Sequence, residues 1–253
     1  MKTRKNISNI VTGFVLTVVA LTCTALLLAY LFGYWEKPRT TTEVSVIWDV
    51  TERHEPHPEA ADILPLFGID NTDRNGSIFR FTYASDVSLN RETVFSIAKA
   101  GDDVLTNQFD RKREAEQFTG KVSAFLDSLA KDTVGRGQSS LYIPIAEAVN
   151  RLAQDTSAQK KILLVYSDLR ENRQGLSFYD RKTLALLKSD PQKIRDMLFA
   201  LAPLGDLSGV EVHFLYEPAN SADDSAYRTI SSFYKNILEN AGAKVIISAN
   251  LAE

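Results

Sequence analysis

The sequence is short of the residues that staple, bend or recruit. A single cysteine, Cys23, leaves no partner for an internal disulfide. No Walker motif, dinucleotide fingerprint or Ser-His-Asp order stands out, and neither do an internal repeat or a low-complexity segment. Acidic residues are absent ahead of Glu36, and residues 10–32 carry no charge of either sign. Basic residues are not in excess. Setting aside Lys2, Arg4 and Lys5, the 29 Lys and Arg fall to 26 against 32 Asp and Glu, a net charge of −6. That balance argues against nucleic acid as a partner.

What is there begins with the uncharged run. Leu, Val, Ala and Thr dominate residues 10–32. At about 1.5 Å per residue such a helix is about 34 Å long, enough to cross a bilayer. Tyr30, Tyr34 and Trp35 supply interfacial anchors at its far end, and Lys2, Arg4 and Lys5 precede it. By the positive-inside rule the N-terminus is cytoplasmic and everything after Trp35 lies outside, periplasmic or extracellular, at a bacterial inner membrane. A cleaved signal peptide is the competing reading, but it needs a shorter apolar core and a small-x-small site. The expected division is a basic tail (1–9), a transmembrane helix (10–32), a linker (33–42) and one domain (43–253). The domain is large enough for a sizeable core without staples.

The domain reads as alternating strands and helices. Strands are expected at 44–49, 78–83, 161–167, 210–216 and 244–248, with a hairpin partner after Val87. Helices are expected at 59–67, 110–130, 141–152, 178–187, 191–201 and 225–239. Residues 172–175 read as a loop, Asn75-Gly76-Ser77 as a turn, Arg111 to Arg113 as solvated charge, and His213 as a satisfied core residue. The fold class is α/β: a doubly wound, mainly parallel sheet with one antiparallel edge strand.

Asp49 ends the first apolar strand, with Thr51 two positions on. Open α/β sheets place ligand sites at the carboxyl ends of their strands. A carboxylate and a hydroxyl there suit a hard cation, although an Asp in that place also serves as an N-cap or turn residue. Ser139 and Ser140 precede a helix, and Asp168 ends the strand KILLVYS. His54 and His57 with Glu55 and Glu59 have ligand chemistry for a transition metal, or form an exposed polar loop.

This order and spacing resembles the von Willebrand factor A, or integrin I-type, domain over about residues 43–248. Asp49 and Thr51 match the start of that family's Asp-x-Ser-x-Ser. Gly137-Gln138-Ser139-Ser140-Leu141 is similar to its Gly-Gly-Thr-x-Leu, and Leu164-Val165-Tyr166-Ser167-Asp168 to its strand ending in Thr-Asp-Gly. The resemblance implies a metal-ion-dependent adhesion site at Asp49, Thr51, Ser139 and Asp168. It would hold Mg²⁺, or Mn²⁺ or Ca²⁺, with a protein partner's carboxylate completing the coordination. Two positions depart from the pattern: Arg53 replaces the second Ser, and Leu169 replaces the Gly after Asp168. The reading that follows is a membrane-tethered protein-binding module that catalyses nothing. The alternatives are a metal-free structural subunit of an envelope, transfer or secretion complex and, more remotely, a hydrolase with Asp49 as nucleophile.

Overall fold

Apolar runs and amphipathic stretches alternate along the chain, and the backbone follows them. Strands β1 (Thr41–Asp49), β2 (Gly76–Ala84), β3 (Thr93–Ile97), β4 (Lys160–Tyr166), β7 (Val210–Leu215) and β8 (Lys244–Ser248) form one sheet, and β5 (Asn172–Arg173) and β6 (Leu176–Ser177) a small hairpin. The helices are α1 (Lys2–Leu31), α2 (Ala60–Ile63) continuing as a 3₁₀ turn (Leu64–Phe67), α3 (Gln108–Leu129), α4 (Tyr142–Gln154), α5 (Arg181–Ser189), α6 (Pro191–Phe199) and α7 (Ser221–Asn240). The computed structural model describes residues 2–31, 39–49, 57–69, 74–84, 92–101, 108–129 and 140–251. The chain divides into two units, Met1–Pro38 and Arg39–Glu253.

The second unit is α/β. Its six-stranded sheet has the order β3-β2-β1-β4-β7-β8, and every pairing is parallel except β2 with β3. Leaving out the small hairpin, this is the doubly wound order, compatible with a Rossmann-like fold. The direction of winding changes between β1 and β4, and the crevice at their carboxyl ends is where such sheets bind ligands.

Alternation along β1 sends side chains to two cores. Val44, Val46 and Trp48 pack with Phe118, Val122, Leu126 and Leu129 of α3. Ile47 faces the other way, into a core built from α4, α5, α6 and α7 that includes Ile145, Val149, Leu152, Tyr227, Ile230, Tyr234 and Ile237. A strand covered on both faces is why this run reads as almost continuously apolar.

Several local expectations change. Residues 172–177 are not a loop but the β5–β6 hairpin, turned at Gly175, whose φ of 85° suits glycine. Helix α5 starts after Asp180, whose side chain caps Lys182 N–H at 3.1 Å, so Phe178 is a buried loop residue. Helix α7 starts four residues earlier than the periodicity suggests. Asn220 is its N-cap, with Oδ1 accepting from the N–H groups of Ala222 (3.0 Å) and Asp223 (3.1 Å). Gly76 and Ser77 open β2 rather than a turn, and a Cβ on Gly76 would sit 2.6 Å from Thr41 Oγ1. Arg111 is not solvated charge: it is buried, and its guanidinium donates to Asn75 O at 2.8 Å. His213 is half-buried, with Nε2 2.7 Å from Glu211 Oε1.

The first unit contains α1. From residue 14 to residue 28 every side chain is exposed, including Phe14, Leu16, Leu21, Leu26 and Leu27. Among the described residues no helix is long and apolar enough to cross a membrane. Side chains in α1 are described for 14–28 alone, and the uncharged run of residues 10–32 extends past both ends of that stretch.

Candidate functional site

Two strand ends build the site. Trp48 of β1 lies opposite Tyr166 of β4, so the next residues, Asp49 and Ser167, emerge side by side at the switch point. Asp49 and Asp168 therefore occupy the same end of the sheet, as the sequence predicts, and both are buried. Thr51 and Ser139, the other two expected ligands, lie outside the described residues, as do Arg53, His54 and Glu55. His57 is described: it pairs with Glu59 at 3.5 Å, and both side chains are well exposed.

The five residues after β4 fix the loop through contacts to several parts of the domain. Ser167 Oγ donates to Asp49 Oδ2 at 3.1 Å, while its own N–H donates to Leu215 O of β7 at 3.3 Å. Asp168 Oδ1 accepts the Arg170 N–H at 2.8 Å, and its Oδ2 lies 3.4 Å from Arg170 Nε and 3.5 Å from the Tyr179 hydroxyl. Leu169 has φ 62°, the one non-glycine positive φ among the described residues, and its side chain is buried in the α4 to α7 core. Arg170 continues to Asp223 of α7, Nη2 to Oδ1 at 2.8 Å, and its guanidinium carbon lies 5.2 Å from the Tyr179 ring centroid. Asp223 is itself held by the Tyr216 hydroxyl (2.7 Å) and the Ala219 N–H (2.9 Å).

Glu171, fully buried, caps α4 from a distance. Its Oε2 accepts from the N–H groups of Leu141 (2.8 Å) and Tyr142 (2.9 Å), and its Oε1 from Ser140 Oγ (3.0 Å). A carboxylate there satisfies orphan donors of the first turn and complements the positive end of the helix dipole. Burial pushes the Glu171 carboxyl above the usual range, while those two N–H groups and the Ser140 hydroxyl pull it down. Burial, with the Asp168 charge as the lesser cause, pushes the Tyr227 phenol up, so it stays protonated.

Among the described residues, Asp49 and Asp168 are each held by a neighbour from the loop after β4. The Arg170 guanidinium already lies against the Asp168 carboxylate and compensates its charge. Among the described residues no group of three or more His, Cys, Asp or Glu gathers that could hold a metal ion. Of the expected donor set the described residues include Asp49, which accepts from the Ser167 hydroxyl, and Asp168, which lies against the Arg170 guanidinium. Asp49 has no exposed surface and accepts from the Ser167 hydroxyl.

Sequence reasoning missed Ser167, Arg170, Glu171, Asp223 and Tyr179. Ser167 and Glu171 flank the predicted Asp168 within three positions, which was the available signal. Scans against protein-family models and curated proteins find no match to this chain.

Proposed function

We propose that the chain is a membrane-tethered protein-binding module at the outer side of a bacterial inner membrane, built on a von Willebrand factor A-like domain whose loop face works without a cation. The observation that carries this reading is Arg170 on Asp168, 3.4 Å from Nε to Oδ2, with the same guanidinium on Asp223 at 2.8 Å. Such a module serves an envelope, transfer or secretion assembly as a binding subunit and catalyses nothing. Leu169 supports the likeness: it adopts the left-handed conformation that suits the glycine of the family pattern, with φ 62°.

The tether rests on residues 10–32 and on the composition of α1. Apolar side chains face outward all round the described stretch, which water would penalise. The hydroxyls within it are satisfied inside the helix, Thr22 Oγ1 donating to Val18 O and Thr24 Oγ1 to Ala20 O, each at 2.8 Å. A hydrocarbon environment requires that internal satisfaction.

A second reading keeps the cation: Mg²⁺, Mn²⁺ or Ca²⁺ on Asp49, Thr51, Ser139 and Asp168, with a partner's carboxylate completing the shell. The burial of Asp49 and Asp168 on neighbouring strand ends favours it.

A photo-cross-linking residue at Tyr179, beside the site, tests the binding face in intact cells against one at Lys244, at the start of β8. Protein adducts specific to position 179, and a periplasmic reporter active when fused after Glu253, are the expected results. Equal adducts from both positions, or a reporter active only in the cytoplasm, sink the reading.

A further inference from the structure

At the opposite end of β1 lies a second buried carboxyl cluster that the binding face does not use. Glu43 points from β1 toward α4, fully buried. Its Oε1 takes both nearby guanidiniums: Arg80 Nε of β2 at 2.8 Å and Arg151 Nε of α4 at 3.8 Å. Arg80 Nη1 and Arg151 Nη1 then share Glu92, each at 2.8 Å, and Arg151 Nη2 donates to Ser45 Oγ at 2.8 Å. Glu43 Oε2 is buried and accepts no hydrogen bond. Its neighbour is another carboxyl, that of Asp155 at the C-cap of α4, within hydrogen-bonding reach of Glu43.

Two ionised carboxylates are acceptors only and cannot bond each other; one must carry a proton. We propose that buried Glu43 and half-buried Asp155 form a proton-binding site, in which one proton held between the two carboxyl groups ties β1 to the C-terminal cap of α4. The division of labour on Glu43 fits a neutral acid. Oε1, the carbonyl oxygen, accepts from Arg80 Nε and lies near the Arg151 guanidinium, and Oε2–H donates to Asp155. Asp155 is the ionised partner, with Oδ1 accepting from the Ser157 N–H at 2.7 Å and its own N–H bonded to Arg151 O at 3.0 Å.

The surrounding charges close with that single proton. Arg80, Arg151 and Lys161 of β4 balance Glu92, Asp155 and Glu147 of α4 once Glu43 is neutral. Burial raises the Glu43 carboxyl above its ordinary value, reinforced by Asp155 and opposed by Arg80 and Arg151. The bond from Glu43 brings Asp155 down to about 2.

The signs give a window. A carboxyl raised on folding contributes stability at low pH, lost as pH rises through its folded value. A depressed one contributes above its ordinary value, lost as pH falls toward the folded value. The tie is therefore intact above about 2, the Asp155 value, and is released when Glu43 loses its proton. Its far end is α4, whose N-terminus Glu171 holds at the candidate site.

The test uses the full chain in detergent and infrared difference spectra between wild type, Glu43→Gln and Asp155→Asn. At about pH 5.5, above the ordinary Glu value of about 4.3, wild type should show a protonated-carboxyl stretch that both variants lose. In Glu43→Gln the amide donates permanently to Asp155. Its melting temperature should match wild type at that pH and stay flat as the pH is raised further, while wild type falls. A spectrum identical in wild type and Glu43→Gln overturns the proposal. So does a band that survives in Asp155→Asn, because the proton would then belong to Glu43 alone.

Discussion

Asp49 and Glu43 lie at opposite ends of one strand, both buried, and the protein accommodates their carboxyls differently. At the carboxyl end of β1, charge meets donors: a hydroxyl on Asp49, a guanidinium and an N–H on Asp168, two helix N–H groups on Glu171. At the amino end, Glu43 faces another carboxyl beyond its guanidiniums, and a proton resolves the conflict. Helix polarity accounts for the difference. In a doubly wound sheet the carboxyl ends of strands meet helix N-termini, rich in orphan N–H groups, while the amino ends meet helix C-termini, rich in carbonyls. Helix α4 presents both faces of this rule, Leu141 and Tyr142 to Glu171 and its Asp155 cap to Glu43.

The comparison is broken most severely at Arg170. Arg170→Ala leaves the buried Asp168 without its countercharge and should cost about 4 kcal/mol in urea unfolding. A cost within 0.5 kcal/mol, roughly the scatter of surface substitutions, would mean that Asp168 is compensated by something else. Glu171→Ala comes next: it strips the acceptor from two buried N–H groups and should cost about 2–3 kcal/mol. Glu171→Gln should restore part of that, since one oxygen can still accept from the helix. Smallest is Leu169→Gly. Relief of left-handed strain returns about 1 kcal/mol, but lost burial removes about 2–3 kcal/mol, so a net loss of about 1.5 kcal/mol is expected. A stabilised Leu169→Gly would show that strain, not packing, dominates there.

The fold was legible where local pattern and tertiary burial agree. The strand at Val44, Val46 and Trp48 and the helix carrying Phe118, Val122, Leu126 and Leu129 announce themselves by period, and each set packs as a face. The β5–β6 hairpin did not, because two-residue strands are too short to alternate. The start of α7 did not either, because Asn220 sets it by a cap rather than by apolar spacing. In the site, Asp49 and Asp168 were legible as strand-ending carboxylates. Their partners act across long stretches of chain: Ser167 reaches 118 positions to Asp49, Arg170 reaches 53 to Asp223, and Glu171 reaches 30 to Leu141. No local pattern encodes such pairings. Arg111 shows the same limit, since a charged run at a helix start gives no sign that one guanidinium is buried against Asn75 O.

In the function proposed above Arg170, and not a divalent cation, neutralises the loop face. The direct measurement is the melting temperature of the full chain in EDTA and in saturating Mg²⁺ or Mn²⁺. A cation bound to the folded state alone at a hundredfold excess over its Kd would add about 2.7 kcal/mol of stability. With Arg170 in that role, the melting temperature is the same in chelator and in either cation. A saturable rise with Mg²⁺ or Mn²⁺ that Asp168→Ala abolishes would contradict it.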